Sequence, residues 1–319
     1  MKKRKSKLSY SNLAMKWLEK RENFVKESTY ANYACIIYNH LIPEIGDMPL
    51  SKIDNEILQD LIIKKSKEGK LSNKGKLSNK TVRDMIGVLK STIRYAINNG
   101  YMDVIDLNFY YPYDSNKSKI CALTKNEQKK IIDYCMNNEC EKNLGIILSL
   151  YTGLRIGELC ALKWEDINFK KNYVVINKTL QRVYLKDKYG YGITKITITS
   201  PKTKNANRIV PLNSEFIDYL KKFKKSDENY IISGKIKYIE PRTFRKYFYK
   251  VLTSLEINNV TFHSLRHTFA SNCIRLGCDY KTVSELLGHS SINITLNIYV
   301  HSEFFQKKKC INTVYKELA

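Results

Sequence analysis

No stretch of this chain approaches the roughly 20 consecutive apolar residues that a membrane-spanning helix needs. The basic N-terminus (Lys2, Lys3, Arg4, Lys5, Lys7) is not followed by the apolar segment of a secretory signal. The eight cysteines include no Cys-x-x-Cys pair and no Cys/His group at zinc-finger spacing, so they read as reduced thiols of a cytoplasmic protein with no metal site. Acidic residues are scarce: 31 Asp and Glu face 55 Lys and Arg, a formal net charge of +24. A compositional drift toward Lys, Asn, Ile and Tyr explains part of the lysine, but not the selective shortage of acid. An excess of this size points to a polyanionic partner, nucleic acid ahead of an anionic membrane surface. No basic amphipathic helix stands out to favour the membrane.

What is present is enough apolar material for real cores. With 319 residues and 43% apolar content, about two domains of ordinary size are expected. The first part reads as helices throughout. Residues 10–23 space Leu13, Trp17 and Leu18 on one face, and 53–66 carry Ile57, Leu58, Leu61 and Ile62. Residues 28–42 start at a Ser28-Thr29 cap, carry Tyr33, Ile36, Ile37 and Leu41, and stop at Pro43. Residues 79–98 carry Val82, Ile86, Leu89, Ile93 and Ala96, with Gly100 as a stop. A tandem hexapeptide, GKLSNK twice over 69–80, is read as a duplication tolerated in a loop, whose lysines could reach phosphates.

Residues 108–120 form a linker within a stretch of broken periodicity rich in Asp, Asn and aromatics. Beyond it, Thr124-x-x-Glu127 is a capping box opening an amphipathic helix, and 143–152 is apolar up to Gly153. Strand patterns appear at 173–176, 193–199 and 208–210, and helices return near 213–224, 241–255, 263–276, 279–287 and 292–299. The expected fold is mainly α (α+β). A helical domain over 1–107 is followed by a mixed, mostly helical domain over 121–319 with a small antiparallel sheet. Both parts are basic, 20 against 12 charges up to residue 107 and 35 against 19 after it, which suits two domains gripping one duplex.

Four short stretches concentrate cations beside a candidate nucleophile. In TGLRIGEL (152–159) a Gly turn delivers Arg155 to a helix start, with Glu158 three residues on to hold the guanidinium; the plainer alternative is a surface helix pair. In SPKTK (200–204) a turn lysine, Lys202, can project a proton donor, although turn lysines are usually solvated. In TFHSLRHT (261–268) His263 and Arg266 share one face, which makes sense if both converge on an anion; the alternative is a histidine capping the helix. In LLGHSSINITLNIYVH (286–301) Gly288 ends a helix, His289 follows in the turn, and Tyr299 ends the next helix.

The set lacks the acidic ligands of a two-metal nuclease. Guanidinium and imidazole groups would then have to stabilise charge on the phosphoryl oxygens. A tyrosine hydroxyl is a feasible covalent nucleophile. The residue types point to phosphodiester transesterification through a phosphotyrosine, without metal, cofactor or ATP.

These same stretches resemble the tyrosine recombinase (phage integrase) family. TGLRIGELCALKWEDI is similar to its first-Arg box and HSLRHTFAS to its His-x-x-Arg box. LLGHSSINITLNIYVH is similar to its nucleophile box, and PKTKNANRIVPL to the β-hairpin carrying its catalytic lysine. The resemblance implies a SAM-like helical core-binding domain over 8–107 and a catalytic domain over 120–305. It implies that Tyr299 attacks the scissile phosphate and forms a 3′-phosphotyrosyl bond. Arg155 and Arg266 would bind the non-bridging oxygens, Lys202 protonate the leaving 5′-oxygen, His263 take part in proton transfer, and His289 donate to the phosphate. Glu158 would orient Arg155, and His267 would be structural. Because two duplexes must be held together, a tetramer on DNA is expected, with a C-terminal tail (303–319) docking in trans or packing in cis. An accessory directionality factor is a possible further partner.

The helices begin within about ten residues of Met1, so no arm-binding domain is expected ahead of them. That layout is Xer-like or that of a mobile element, without deciding between integration, excision, resolution and inversion. A type IB topoisomerase, or a DNA-binding protein that has lost catalysis, are the competing readings. The LLGHSS box stands against the first and an intact Arg155, Arg266 and Tyr299 against the second.

Overall fold

The structure, a computed structural model, describes residues 8–67, 77–111, 122–186, 192–200, 204–299, 308 and 311–315, leaving aside the side chains of 185, 186, 204, 294 and 297–299. The chain divides into two compact units, one of residues 1–118 with 183–195, the other of 119–182 with 196–319.

The first unit is a helical bundle. Helix α1 (Tyr10–Glu22) is capped by the Ser9 hydroxyl and buries Tyr10, Leu13, Ala14, Trp17 and Leu18. Helix α2 (Glu27–Ile36) starts without a side-chain cap, so Ser28 and Thr29 lie inside its first turn rather than before it. The pattern from 28 does not stop at Pro43. The chain widens into a π-turn at Ile37–Leu41, and the N–H of Ile42 reaches back to the Ile37 carbonyl. Helix α3 (Ile42–Ile45) then begins with Pro43 in its first turn, where no N–H is needed. Helices α4 (Asn55–Lys67) and α5 (Asn79–Asn98) complete the bundle. The longest, α5, lies along the core with Val82, Met85, Ile86, Leu89, Ile93 and Ala96 buried. Each of the Val, Met, Ile and Leu side chains among them stabilises the bundle by about 1.5–3 kcal/mol. A polar link across this core joins Tyr10 Oη to Thr92 Oγ1 at 2.9 Å, and burial pushes the Tyr10 hydroxyl pKa up. Phe109, within the expected linker, packs into this core. The tandem hexapeptide lies outside the described residues as far as Lys76.

The second unit is mostly helical. The Thr124 capping box opens α6 (Lys125–Asn137). Helix α7 (Glu141–Thr152) is buried nearly all round, packed between α6 and the later helix Phe262–Arg275, and ends at Gly153 with φ +66°. Helix α8 (Ile156–Ala161) follows after two residues. Strands β1 (Ile167–Asn168), β2 (Tyr173–Ile176) and β5 (Arg208–Pro211) form an antiparallel sheet in the order β1-β2-β5, with Val174 opposite Val210 and Ile176 opposite Arg208. Strands β3 (Thr179–Lys186) and β4 (Gly192–Thr199) pair separately, and their residues between Val183 and Lys195 are counted with the first unit. The two-residue β1 carries too little pattern to be read from sequence, and in β3 Gln181, Arg182 and Lys186 dilute the apolar alternation.

Helices α9 (Ser214–Lys221), α10 (Pro241–Ser254), α11 (Phe262–Arg275), α12 (Tyr280–Leu287) and α13 (Ile292–Tyr299) follow at the expected positions. Phe244 and Phe248 of α10 meet Phe262 of α11 edge-to-face in the core. No helix among the described residues is long and apolar enough to cross a membrane. The six cysteines among the described residues are free thiols.

Candidate active site

The site is built around the C-terminus of α12. A helix end leaves carbonyls without intrahelical donors. Here five successive carbonyls find them. The N–H groups of His289 and Gly288 turn back onto Ser284 and Glu285, both at 3.0 Å. The next three carbonyls each accept from a different arginine: Leu286 from Arg208 Nε at 2.6 Å, Leu287 from Arg266 Nη2 at 2.6 Å, and Gly288 from Arg155 Nη2 at 3.2 Å. The negative end of the helix dipole favours this gathering of cations.

Each arginine arrives for a local reason. Arg155 is the N-cap residue of α8, set there by the left-handed turn at Gly153. Its backbone N–H donates to Glu158 Oε2 at 2.9 Å and its Nη1 to Oε1 at 2.7 Å, so the carboxylate holds both ends of the residue. The pairing of Arg155 and Glu158 is therefore part of this cluster and not an ordinary surface helix pair; Glu158 is 3% exposed. Arg266, only 2% exposed, also donates Nη1 to the Gly153 carbonyl at 2.9 Å.

His263 stands three residues before Arg266 on α11. It does not cap the helix: Thr261 is the N-cap, with its N–H received by Ser264 Oγ at 3.1 Å. The rings of His263 and His267 meet edge-to-face with centroids 4.6 Å apart. His289 is buried, with Nδ1 2.8 Å from Thr295 Oγ1 on α13. Its backbone carbonyl receives Asn205 Nδ2 at 3.3 Å.

Burial and charge together set the protonation states. Burial first, then the Arg266 and Arg155 guanidiniums, hold His263 below its ordinary pKa. The same causes take His289 down to about 3. Burial and the neighbouring His263 take His267 to about 4. All three imidazoles are neutral at pH 7 without an anion in place. Burial alone would raise the Glu158 carboxyl, but Arg208 and then Arg155 outweigh it, and the group sits below the usual carboxylate range.

The structure thus brings together Arg155, Glu158, His263, Arg266 and His289 from three segments spread over more than a hundred residues. Lys202, Thr203 and His301 lie outside the described residues. Tyr299 ends α13, and its side chain is not described. Arg208, which no sequence motif singles out, donates Nη1 and Nη2 to Glu158 at 3.2 and 2.9 Å. A signal was available: in β5 the apolar phase runs through Val210, and two residues before it stands an arginine.

The residues of the site lie within 122–305, the span over which the chain matches the sequence model described as the phage integrase family. The chain belongs to the phage integrase family. Residues 9–66 also match the integrase N-terminal SAM-like domain. A tyrosine recombinase XerC-like protein of Caldanaerobacter subterraneus subsp. tengcongensis is 30% identical over 92% of this chain and 78% of its own length. Among solved structures, the Tn1549 transposon integrase in complex with a circular intermediate DNA superposes with a TM-score of 0.76, at 21% identity, over 96% of this chain and 99% of that one. A lambda integrase tetramer bound to a Holliday junction superposes with a TM-score of 0.64, at 20% identity, over 89% of this chain and 78% of that one. The structural likenesses establish the fold; the sequence matches establish the family. This phage integrase family member is a site-specific tyrosine recombinase, an enzyme that breaks and rejoins DNA strands.

Proposed function

We propose that this recombinase cleaves and reseals each DNA strand through a 3′-phosphotyrosine at Tyr299, without metal or ATP. The supporting observation is the placement of two neighbouring guanidiniums, Arg155 and Arg266, on adjacent carbonyls at one helix end, flanked by two neutral histidines. Two preorganised cations of this kind match the two non-bridging oxygens of a single phosphodiester.

In the forward step the Tyr299 oxygen attacks phosphorus, a Tyr–O–P bond forms and the P–O5′ bond breaks. The phenolic proton passes to His263, which is neutral and able to accept it. Lys202 supplies a proton to the departing 5′-oxygen. With the Thr295 hydroxyl donating to Nδ1, His289 carries its own proton on Nε2 and donates it to the phosphate. The phosphotyrosyl ester retains the energy of the broken diester, so attack by a 5′-hydroxyl of another strand reverses the step on a new partner.

The partner is double-stranded DNA. The net charge of +24 provides phosphate contacts beyond the few that serve the reacting group. Exchange requires two duplexes, hence four protomers, the assembly in which the lambda integrase is bound to a Holliday junction. The described part of the tail, Ile311–Tyr315, exposes Ile311, Val314 and Tyr315, apolar groups suited to docking on a neighbouring protomer. A directionality factor would bias excision against integration. The enzyme would act in the cytoplasm on the nucleoid.

The test is a suicide duplex nicked beside the crossover, with its sequence taken from the DNA flanking the gene. A covalent protein–DNA adduct that survives EDTA and is lost in Tyr299→Phe is the expected result. Failure of the native protein to form an adduct on the correct site overturns the reading.

A further inference from the structure

We propose that Arg208 is a positioning residue for strand cleavage. It fixes Glu158 and the α12 terminus in the one arrangement that aims Arg155 and Arg266 at a common phosphate. The inference rests on the reading of those two arginines as phosphate ligands.

Arg208 is the first residue of β5, and its side chain shares the inner face of the strand with buried Val210, whereas Ile209 points outward and is 57% exposed. An arginine inside and an isoleucine outside invert the usual arrangement of a sheet packed on a core. The Arg208 side chain is 5% exposed. A buried cation is costly unless every donor is used. Here Nη1 and Nη2 grip the two oxygens of Glu158, Nη1 also reaches the Ala206 carbonyl at 3.2 Å, and Nε takes the Leu286 carbonyl at 2.6 Å.

These contacts join the pieces on which the two phosphate-facing arginines depend. Glu158 holds Arg155 by Nη1 and by the backbone. The carbonyls that receive Arg266 and Arg155, Leu287 and Gly288, directly follow the one fixed by Arg208. Charge points the same way. Two guanidiniums, Arg155 and Arg208, meet the one Glu158 carboxylate, and the bidentate pair of Arg208 with Glu158 is the neutral couple beside Arg266. Arg155 and Arg266 then retain positive charge for an anion. Without Arg208, Glu158 would set its whole charge against Arg155, and the Leu286 carbonyl would lose its donor.

The guanidinium is specifically suited. Its planar fork spans a carboxylate and a carbonyl at once, which the single ammonium of lysine does not. A methionine of similar length fills the site but removes one partner of a buried ion pair, which is destabilising in itself, so melting temperature is measured beside cleavage. A brace acting on the whole fold would lower cleavage by the same factor whether or not Arg155 is present. A residue that acts through Arg155 would not.

The experiment uses the full chain on the nicked suicide duplex. It measures single-turnover cleavage at saturating protein, affinity for the intact duplex, and melting temperature. The proteins are the native chain, Arg208→Met, Arg208→Lys, Arg155→Ala, and each Arg208 variant combined with Arg155→Ala. Arg208→Met is expected to cleave about 100-fold more slowly, the size of effect produced by misplacing a reacting group by about 1 Å. Its DNA affinity should stay within about twofold, because phosphate contacts across the whole duplex set that term. Combined with Arg155→Ala, the same change should cost less than about threefold more, the mark of two residues acting as one unit. Should Arg208→Met melt below the assay temperature, Arg208→Lys carries the test, with an expected loss of about tenfold and the same non-additivity. Native-rate cleavage by the folded Arg208 variant, or full additivity with Arg155→Ala, overturns the proposal. If instead Arg155→Ala cleaves at the native rate, the phosphate-ligand reading fails and this inference falls with it.

Discussion

Gly153→Ala tests whether the turn between α7 and α8 is as tightly determined as its geometry implies. Gly153 has φ +66°, and a Cβ built there meets Leu287 Cδ2 at 2.7 Å and Phe269 Cδ1 at 2.8 Å. The left-handed backbone costs a non-glycine residue about 1–2 kcal/mol. Forcing a methyl into a packed contact adds about 1–3 kcal/mol. Stiffening the unfolded chain returns about 0.4–1 kcal/mol. The net expectation is a loss of about 2–4 kcal/mol, a fall in Tm of roughly 10 °C for a unit of this size. Gly277 supplies the control. Its φ is +96°, but its added Cβ has nothing within 4 Å, so Gly277→Ala carries the backbone strain without the collision. It should lower Tm by about 5 °C or less. Calorimetry of the two full-length variants beside the native chain measures both. The variants should also separate in cleavage. The Gly153 carbonyl receives Arg266 Nη1, so displacing it disturbs the arginine proposed as a phosphate ligand, whereas Gly277 lies at the far end of α11. Equal falls in Tm, or a smaller fall for Gly153→Ala, would refute the packing argument.

Two other outcomes are expected. His263, His267 and His289 are all held below their ordinary pKa, so the unfolded chain takes up protons that the folded one refuses. Stability is therefore full above about pH 6.5 and falls as pH drops toward 4, with the Glu158 carboxyl adding its own loss below that window. Melting temperatures across pH 4–8 should follow this slope and flatten in His289→Gln; an unchanged slope in that variant contradicts the assignment. Lys202→Ala should slow cleavage by about 10²–10⁴-fold, the range of general acid catalysis, while affinity for the duplex and its steep fall with salt stay nearly native. Loss of binding in that variant would show that Lys202 holds DNA rather than donating a proton.

Most of the architecture was legible because its signals are local. The capping box at Thr124 and Glu127 forms as the spacing requires, and the periodicity of 79–98 yields α5 almost residue for residue. The helix from 28 was the exception. Pro43 removes one N–H, but a π-turn a few residues earlier shifts the hydrogen-bond register so that the proline falls where none is needed. That adjustment depends on the packing of Ile37 and Leu41 into the bundle core, which no local rule contains. The short β1 was missed for the opposite reason, having too few residues to carry a period.

At the site the division is sharper. The residue types and their order along the chain (Arg155 with Glu158, His263 with Arg266, Gly288 with His289, then Tyr299) are properties of the sequence, and they already named a chemistry. Spacing could place each pair on a helix face, because a helix fixes where residues three apart must lie. It could not say that three arginines from α8, α11 and β5 would end on three consecutive carbonyls of α12, since that depends on how the elements pack. Arg208 shows the limit. In the sequence it is one of 55 basic residues at the head of a short strand. Only the tertiary structure turns it inward, buries it, and sets it against Glu158, because the strand's inner face is the side that reaches both Glu158 of α8 and the Leu286 carbonyl of α12.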